Sequence, residues 1–115
     1  MTYRGACHCG KIAYTVDGEI DQVLDCNCSL CRKRGGLLWF VSSDALHLSG
    51  ETAATGTYTF NTHKIQHHFC TQCGISAYSE GQNADGSSMA CINVRCLDDV
   101  DLKQLKVVEF DGRIA

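Results

Sequence analysis

The nine cysteines of this 115-residue chain are not scattered. Seven fall into three tight groups: Cys7-His8-Cys9-Gly10, Cys26-Asn27-Cys28-Ser29-Leu30-Cys31 and Cys70-Thr71-Gln72-Cys73-Gly74. Nine is odd, so a framework of disulfides alone leaves a thiol over. A C-x-C pair places its sulfurs better for one ion than for an unstrained disulfide. The opening residues have no apolar h-region, which argues against a secretory signal and for a cytoplasmic setting that keeps thiols reduced. Together these points favour metal, and zinc is the ion that cysteine-rich tetrahedral sites select.

Groups one and three each offer two ligands, and a structural Zn²⁺ takes four. Cys7, Cys9, Cys70 and Cys73 are therefore expected to close one structural site, clasping residues near 8 to residues near 72. Gly10 and Gly74 follow the two pairs, and glycine there lets backbone N–H groups turn toward the sulfurs and share their charge. Phe69 is placed to shield the site. The plain alternative is two cysteine pairs that merely pack.

Group two differs. Cys26, Cys28 and Cys31 supply three thiolates from one loop and leave the fourth corner open, as in a catalytic zinc site where water or substrate takes that position. Three alternatives stand beside this. A distant residue (His67, His68, Cys91 or Cys96) closes the set as a second structural site, Cys28 and Cys31 form a redox C-x-x-C, or the ion is labile and easily lost. Arg32-Lys33-Arg34 follows directly. Beside three thiolates and one Zn²⁺, a net charge of about −1, such a run offsets charge and can grip a ligand carboxylate. Arg32, nearest in sequence, is the first candidate and Lys33 the next; the plain alternative is a solvated basic turn. Along the strand from Met89, Cys91, Asn93 and Arg95 share one face, and Ala90, Ile92, Val94 and Cys96 the other. The first set is a candidate pocket lining, with Arg95 a third carboxylate contact, unless it is a buried cysteine beside an exposed polar edge. Trp39 reads as core; His8 and His47 read as exposed or locally hydrogen-bonded.

The rest of the chain reads as strands in one domain, residues 1–115. Strand-like runs are Lys11–Val16, Gln22–Cys26, Leu37–Val41 (continuously apolar, so expected to be buried on both faces), Leu46–Leu48, Thr57–Phe60, Ile65–Phe69, Met89–Arg95 and Lys106–Phe110. Glu80–Ser88 reads as a surface loop. One helical turn is expected over Ser29–Arg34, with Ser29 as N-cap and Gly35 as stop, and another over Asp98–Leu105. The class is mainly β. The formal charge is −3; seven bound thiolates add seven negative charges and two zinc ions return four, for about −6. Such a chain has no general attraction for nucleic acid or an anionic membrane, and no apolar run is long enough for a transmembrane helix.

At Arg4-Gly-Ala-Cys-His-Cys-Gly-Lys11, Cys26-Asn-Cys-Ser-Leu-Cys-Arg-Lys33, Phe69-Cys-Thr-Gln-Cys-Gly74 and Ile92-Asn-Val-Arg-Cys-Leu-Asp-Asp99 the chain resembles the glutathione-dependent formaldehyde-activating enzyme family, which also contains the centromere protein V type of domain. The resemblance implies a β-tent fold of layered antiparallel sheets with short helical turns, stapled by zinc. It implies two zinc ions, a structural one on Cys7, Cys9, Cys70 and Cys73 and a catalytic one on Cys26, Cys28 and Cys31. The activity implied joins a thiol, glutathione, to a small aldehyde, formaldehyde, formally a carbon–sulfur lyase in reverse. Where the family often has histidine, this chain has Asn27, which keeps the ligands and changes the polar group beside the metal. The competing class is a non-enzymatic zinc module with two structural sites.

Overall fold

The computed structural model describes residues 1–49, 54–60 and 64–111. Among these the chain forms β1 (Thr2–Ala6), β2 (Ala13–Asp17), β3 (Val23–Cys26), α1 (Ser29–Arg34), β4 (Leu38–Ser42), β5 (Leu46–Leu48), β6 (Thr55–Tyr58), β7 (Gln66–Cys70), β8 (Tyr78–Gln82), β9 (Ser88–Asn93) and β10 (Val107–Phe110). Two sheets result, one of three strands in the order β1-β2-β5 and one of seven in the order β10-β3-β4-β9-β8-β7-β6. The mainly β, layered architecture is as expected. Not every pairing is antiparallel: β10 runs parallel to β3, from Val107 beside Val23 to Phe110 beside Cys26.

The two sheets meet across one apolar core. Tyr14 and Val16 enter it from β2, and Trp39, Tyr78, Ala90 and Ile92 from the larger sheet. Tyr14 is 1% exposed, and its hydroxyl donates to the Ala77 carbonyl oxygen at 3.1 Å, which satisfies the phenol and ties the sheets together. Trp39 lies in the core, edge-on to Tyr3 at 5.7 Å. Because side chains alternate across a strand, the neighbours of these core residues point the other way. Leu24, Leu38, Phe40, Ser79 and Cys91 all lie one residue from a core residue in their strands, and all line a cavity on the outer face of the seven-stranded sheet.

Several local expectations need correction. β4 is buried on both faces only at Leu38 and Trp39, and Phe40 is 47% exposed. The strand from Met89 ends at Asn93, whose side chain accepts from the Arg95 N–H at 3.2 Å and starts a 3₁₀ turn, Val94–Cys96. Arg95 therefore leaves the strand and is exposed. Asp98–Leu105 is no α-helix. Its one helical turn is the 3₁₀ segment Leu102–Gln104, capped by Asp101, because aspartates favour capping over helix interiors. Glu80–Ser88 is mostly a hairpin: β8 and β9 pair as far as Gln82 opposite Ser88, and only residues 83–87 turn.

Gly5 faces the Tyr14 ring directly across the β1–β2 ladder. A Cβ there would sit 2.6 Å from the ring, so Gly5→Ala must displace a side chain packed on every side. A loss of about 1–3 kcal/mol is expected, read as a lower urea midpoint at unchanged slope. An unchanged midpoint contradicts this packing.

Candidate functional site

The β1–β2 turn carries Cys7 and Cys9, and the end of β7 and the turn after it carry Cys70 and Cys73. The two turns meet so that all four sulfurs lie within 4.8 Å of one another. A tetrahedron with Zn–S near 2.3 Å has sulfurs about 3.8 Å apart. The Cys7–Cys9 and Cys9–Cys70 separations are 3.7 and 3.5 Å. Both turns aim backbone N–H groups at sulfur: Ile12 to Cys7 at 3.3 Å, and Gln72 and Cys73 each to Cys70 at 3.4 Å. Backbone N–H groups of Ile75 and Cys9 bring the Cys73 thiol down to about 6. Gly10 and Gly74 stand at φ 83° and 81°, the left-handed region that both knuckles need and that glycine enters without strain. Donor type, spacing and N–H support fit a zinc ion on four thiolates.

The second group closes over the outer face of the larger sheet. Cys26 ends β3, Cys28 caps α1 and Cys31 sits inside it, with the three sulfurs within 4.8 Å of one another. The N-cap is Cys28 rather than Ser29: its sulfur accepts from the Cys31 N–H at 3.4 Å, and Cys26 accepts from the Cys28 N–H at 3.5 Å. Gly35 ends the helix at φ 78°, as expected. Burial and then the Cys28 sulfur push the Cys31 thiol up to about 12, so a cation is needed to hold it as thiolate. Three soft donors on a short rigid loop fit zinc. Among the described residues no fourth His, Cys, Asp or Glu joins them. Of the distant candidates, His67 and Cys91 line the cavity beside the cluster. His68 is taken up with Thr57 at 2.9 Å, Glu80 at 3.8 Å and the Tyr78 ring. Cys96 lies toward Cys7 and Cys73, the other site.

Below the cluster is a cavity of about 250 Å³. Arg34 reaches it, whereas Arg32 and Lys33 are exposed and do not line it, and neither does Arg95. Helical spacing is the reason, since i+3 from Cys31 shares its face of the helix and i+1 does not. The Arg34 guanidinium donates to Ser76 Oγ at 3.1 Å, lies 3.4 Å from His67 Nδ1 and approaches Cys31 Sγ at 3.8 Å. His67 Nδ1 is also 3.1 Å from Ser79 Oγ, its cross-strand partner. Burial, then the charge of Arg34, then His68 hold His67 down at about 4. Arg34 was readable from helix periodicity. His67 and Ser79 depend on strand register, which local sequence does not display. Asn93 serves as a cap and donates to the Ser76 carbonyl oxygen at 3.1 Å. His8 is exposed, and His47 bonds Asp17 at 3.0 Å.

Residues 2–109 match the glutathione-dependent formaldehyde-activating enzyme family. The chain belongs to that family. A crystal structure of a Rhodobacter sphaeroides protein, solved as a structural-genomics target, superposes with a TM-score of 0.78 at 26% identity, covering 94% of this chain and 100% of that one. Membership supports a formaldehyde-activating function in coarse terms, with glutathione and formaldehyde as the small molecules of the family's name. Among the described residues no helix is long and apolar enough to cross a membrane.

Two outcomes follow for the two cysteine groups and for His67. Native mass spectrometry of the zinc-loaded chain should find two ions. Cys31→Ser should keep one ion and the folded circular-dichroism spectrum, whereas Cys73→Ser should lose the fold's cooperative melt; the reverse pattern would exchange the two roles. In NMR titration, His67 should stay neutral well below its ordinary value of 6.5. Its folded value lies below its unfolded one, so the stability this lends is whole above 6.5 and lost as pH falls toward about 4. A midpoint near 6.5 contradicts the burial beside Arg34.

Proposed function

We propose that this chain is a zinc-dependent enzyme that joins a glutathione-like thiol to a small aldehyde such as formaldehyde, and cleaves the same bond in reverse as a carbon–sulfur lyase. The observation that carries this reading is the three-cysteine cluster, without a fourth ligand among the described residues, set over a cavity. Family membership over residues 2–109 supports it. Cys7, Cys9, Cys70 and Cys73 hold the structural ion, and Cys26, Cys28 and Cys31 the catalytic one. A zinc ion on three thiolates supplies an open position at which a thiol loses its proton, and it suits delivery of a nucleophile better than strong polarisation of a carbonyl.

The remaining work falls to the protein. The apolar walls exclude water and strengthen charge interactions inside. Arg34, the one arginine or lysine among the described lining residues, offsets the cluster's negative charge. Its guanidinium also faces the oxygen that gains charge as sulfur adds to the carbonyl carbon. His67, neutral and held by Ser79, keeps its Nδ1 as an acceptor and so orients the guanidinium. Arg32 and Lys33, exposed on α1, are left as contacts for the carboxylates of a long thiol outside the cavity. Arg95, on its own exposed turn, is the weakest such contact. Seven thiolate ligands suit a reducing compartment, the cytoplasm, and the partners are small molecules.

Adduct formation from glutathione and ¹³C-formaldehyde, followed by exchange NMR, tests this. Cys28→Ser should lower the protein-dependent rate about 100-fold and Arg34→Ala about 10- to 100-fold. Equal rates in wild type and Cys28→Ser contradict the enzyme and leave a zinc module.

A further inference from the structure

The cavity under the second cluster is amphipathic, with a few polar groups set among apolar walls. Arg34, His67 and Ser79 are joined to one another, and Arg34 approaches Cys31. Apart from the cysteines the rest of the lining is apolar, chiefly Leu24, Leu38, Phe40, Phe60, Ile65 and Phe110. Phe40, Ile65 and Phe110 are 47%, 41% and 44% exposed, so three large apolar side chains of the lining keep an open face. Single exposed apolar residues need no explanation, but a contiguous set around a concavity marks a binding surface. Tyr58 stacks on Phe60 at 6.0 Å, and Phe60 leans on His67 at 5.5 Å.

Neither molecule of the family's name fills such a space well. The cavity of about 250 Å³ equals the liquid volume of roughly eight waters, hence roughly eight heavy atoms. Formaldehyde supplies two heavy atoms and no apolar surface. Glutathione brings amides and two carboxylates, and polar groups buried against apolar walls lose their water without replacement. We infer that the aldehyde taken by this site has roughly six to eight heavy atoms in all, its body beyond the carbonyl being a short alkyl chain or an aromatic ring. Its carbonyl oxygen lies toward Arg34 and its body against the phenylalanines. This rests on the thiol–aldehyde reading above and narrows its substrate. The step is an addition without oxidation or reduction: the thiolate sulfur bonds the carbonyl carbon, the C=O π pair moves to oxygen, and oxygen takes the proton that the thiol gave up. The product is a hemithioacetal of the apolar aldehyde.

Hexanal and formaldehyde, each with glutathione, separate the possibilities on zinc-loaded protein. Hexanal should exceed formaldehyde in kcat/KM by about 100-fold. Phe110→Ser and Ile65→Ser, both at exposed positions, should cut that ratio about tenfold each. Leu48→Ser, on the other sheet and 46% exposed, should leave it unchanged. Saturation-transfer NMR of hexanal without thiol reads the cavity independently of turnover, and its signal should weaken in Phe110→Ser. A kcat/KM for formaldehyde equal to or above that for hexanal, or a hexanal signal indifferent to Phe110→Ser, overturns the inference. No adduct with either aldehyde, together with a Phe110-dependent hexanal signal, overturns the reaction while upholding an apolar ligand in this cavity.

Discussion

The meeting of Cys7, Cys9, Cys70 and Cys73 is the junction on which the architecture depends, because it lies between the two sheets. Cys7 and Cys9 belong to a turn of the three-stranded sheet, and Cys70 and Cys73 to a turn of the seven-stranded one. Sixty-one residues separate Cys9 from Cys70, yet their sulfurs are 3.5 Å apart. A metal held there would close a long loop and remove much of the freedom of the unfolded chain, and binding free energy at such a site becomes folding free energy. A domain of this size has a modest core, so a clasp next to Tyr14 and Ala77 reinforces it where the sheets already touch.

That junction also positions the second site. The turn carrying Cys73 continues through Gly74 and Ile75 to Ser76, and Ser76 Oγ accepts from Arg34 at 3.1 Å while donating to the His68 carbonyl oxygen at 3.2 Å. Arg34 is thereby held between the clasp's turn and the three-cysteine helix. The larger sheet divides its residues by the strand period of two. One set builds the core with β2 and the alternate set builds the cavity wall, so one sheet serves stability on one face and ligand contact on the other.

Much of this was legible in the sequence, for reasons that differ between its parts. Cysteine spacing announces both cysteine groups, and the following glycines mark the four-cysteine one, because ligand geometry is local and strict. The strands show through alternation and β-rich composition, and Trp39 through its apolar neighbours. The failures cluster where a local rule met a tertiary demand. Ser29 is the residue type preferred at an N-cap, but thiol spacing moves the cap to Cys28. Arg32 is adjacent to the cluster in sequence, but helical rotation turns Arg34 toward it. Arg95 continues the period of β9 on paper, yet Asn93 ends the strand by capping the next turn. The His67–Ser79 pair depends on the register between β7 and β8, and the phenylalanines come from segments far apart in sequence, so no single-segment pattern encodes their meeting.

The proposed division of labour sets four cysteines that close a site against three that leave one open. X-ray absorption at the zinc edge measures it directly on the fully loaded protein. Seven sulfurs shared by two ions predict an average of about 3.5 sulfurs per zinc, with a lighter oxygen or nitrogen neighbour making up the remainder. An average of about four sulfurs, with no lighter neighbour, would mean that another thiol completes the second site. The open position that the proposed reaction uses would then not exist.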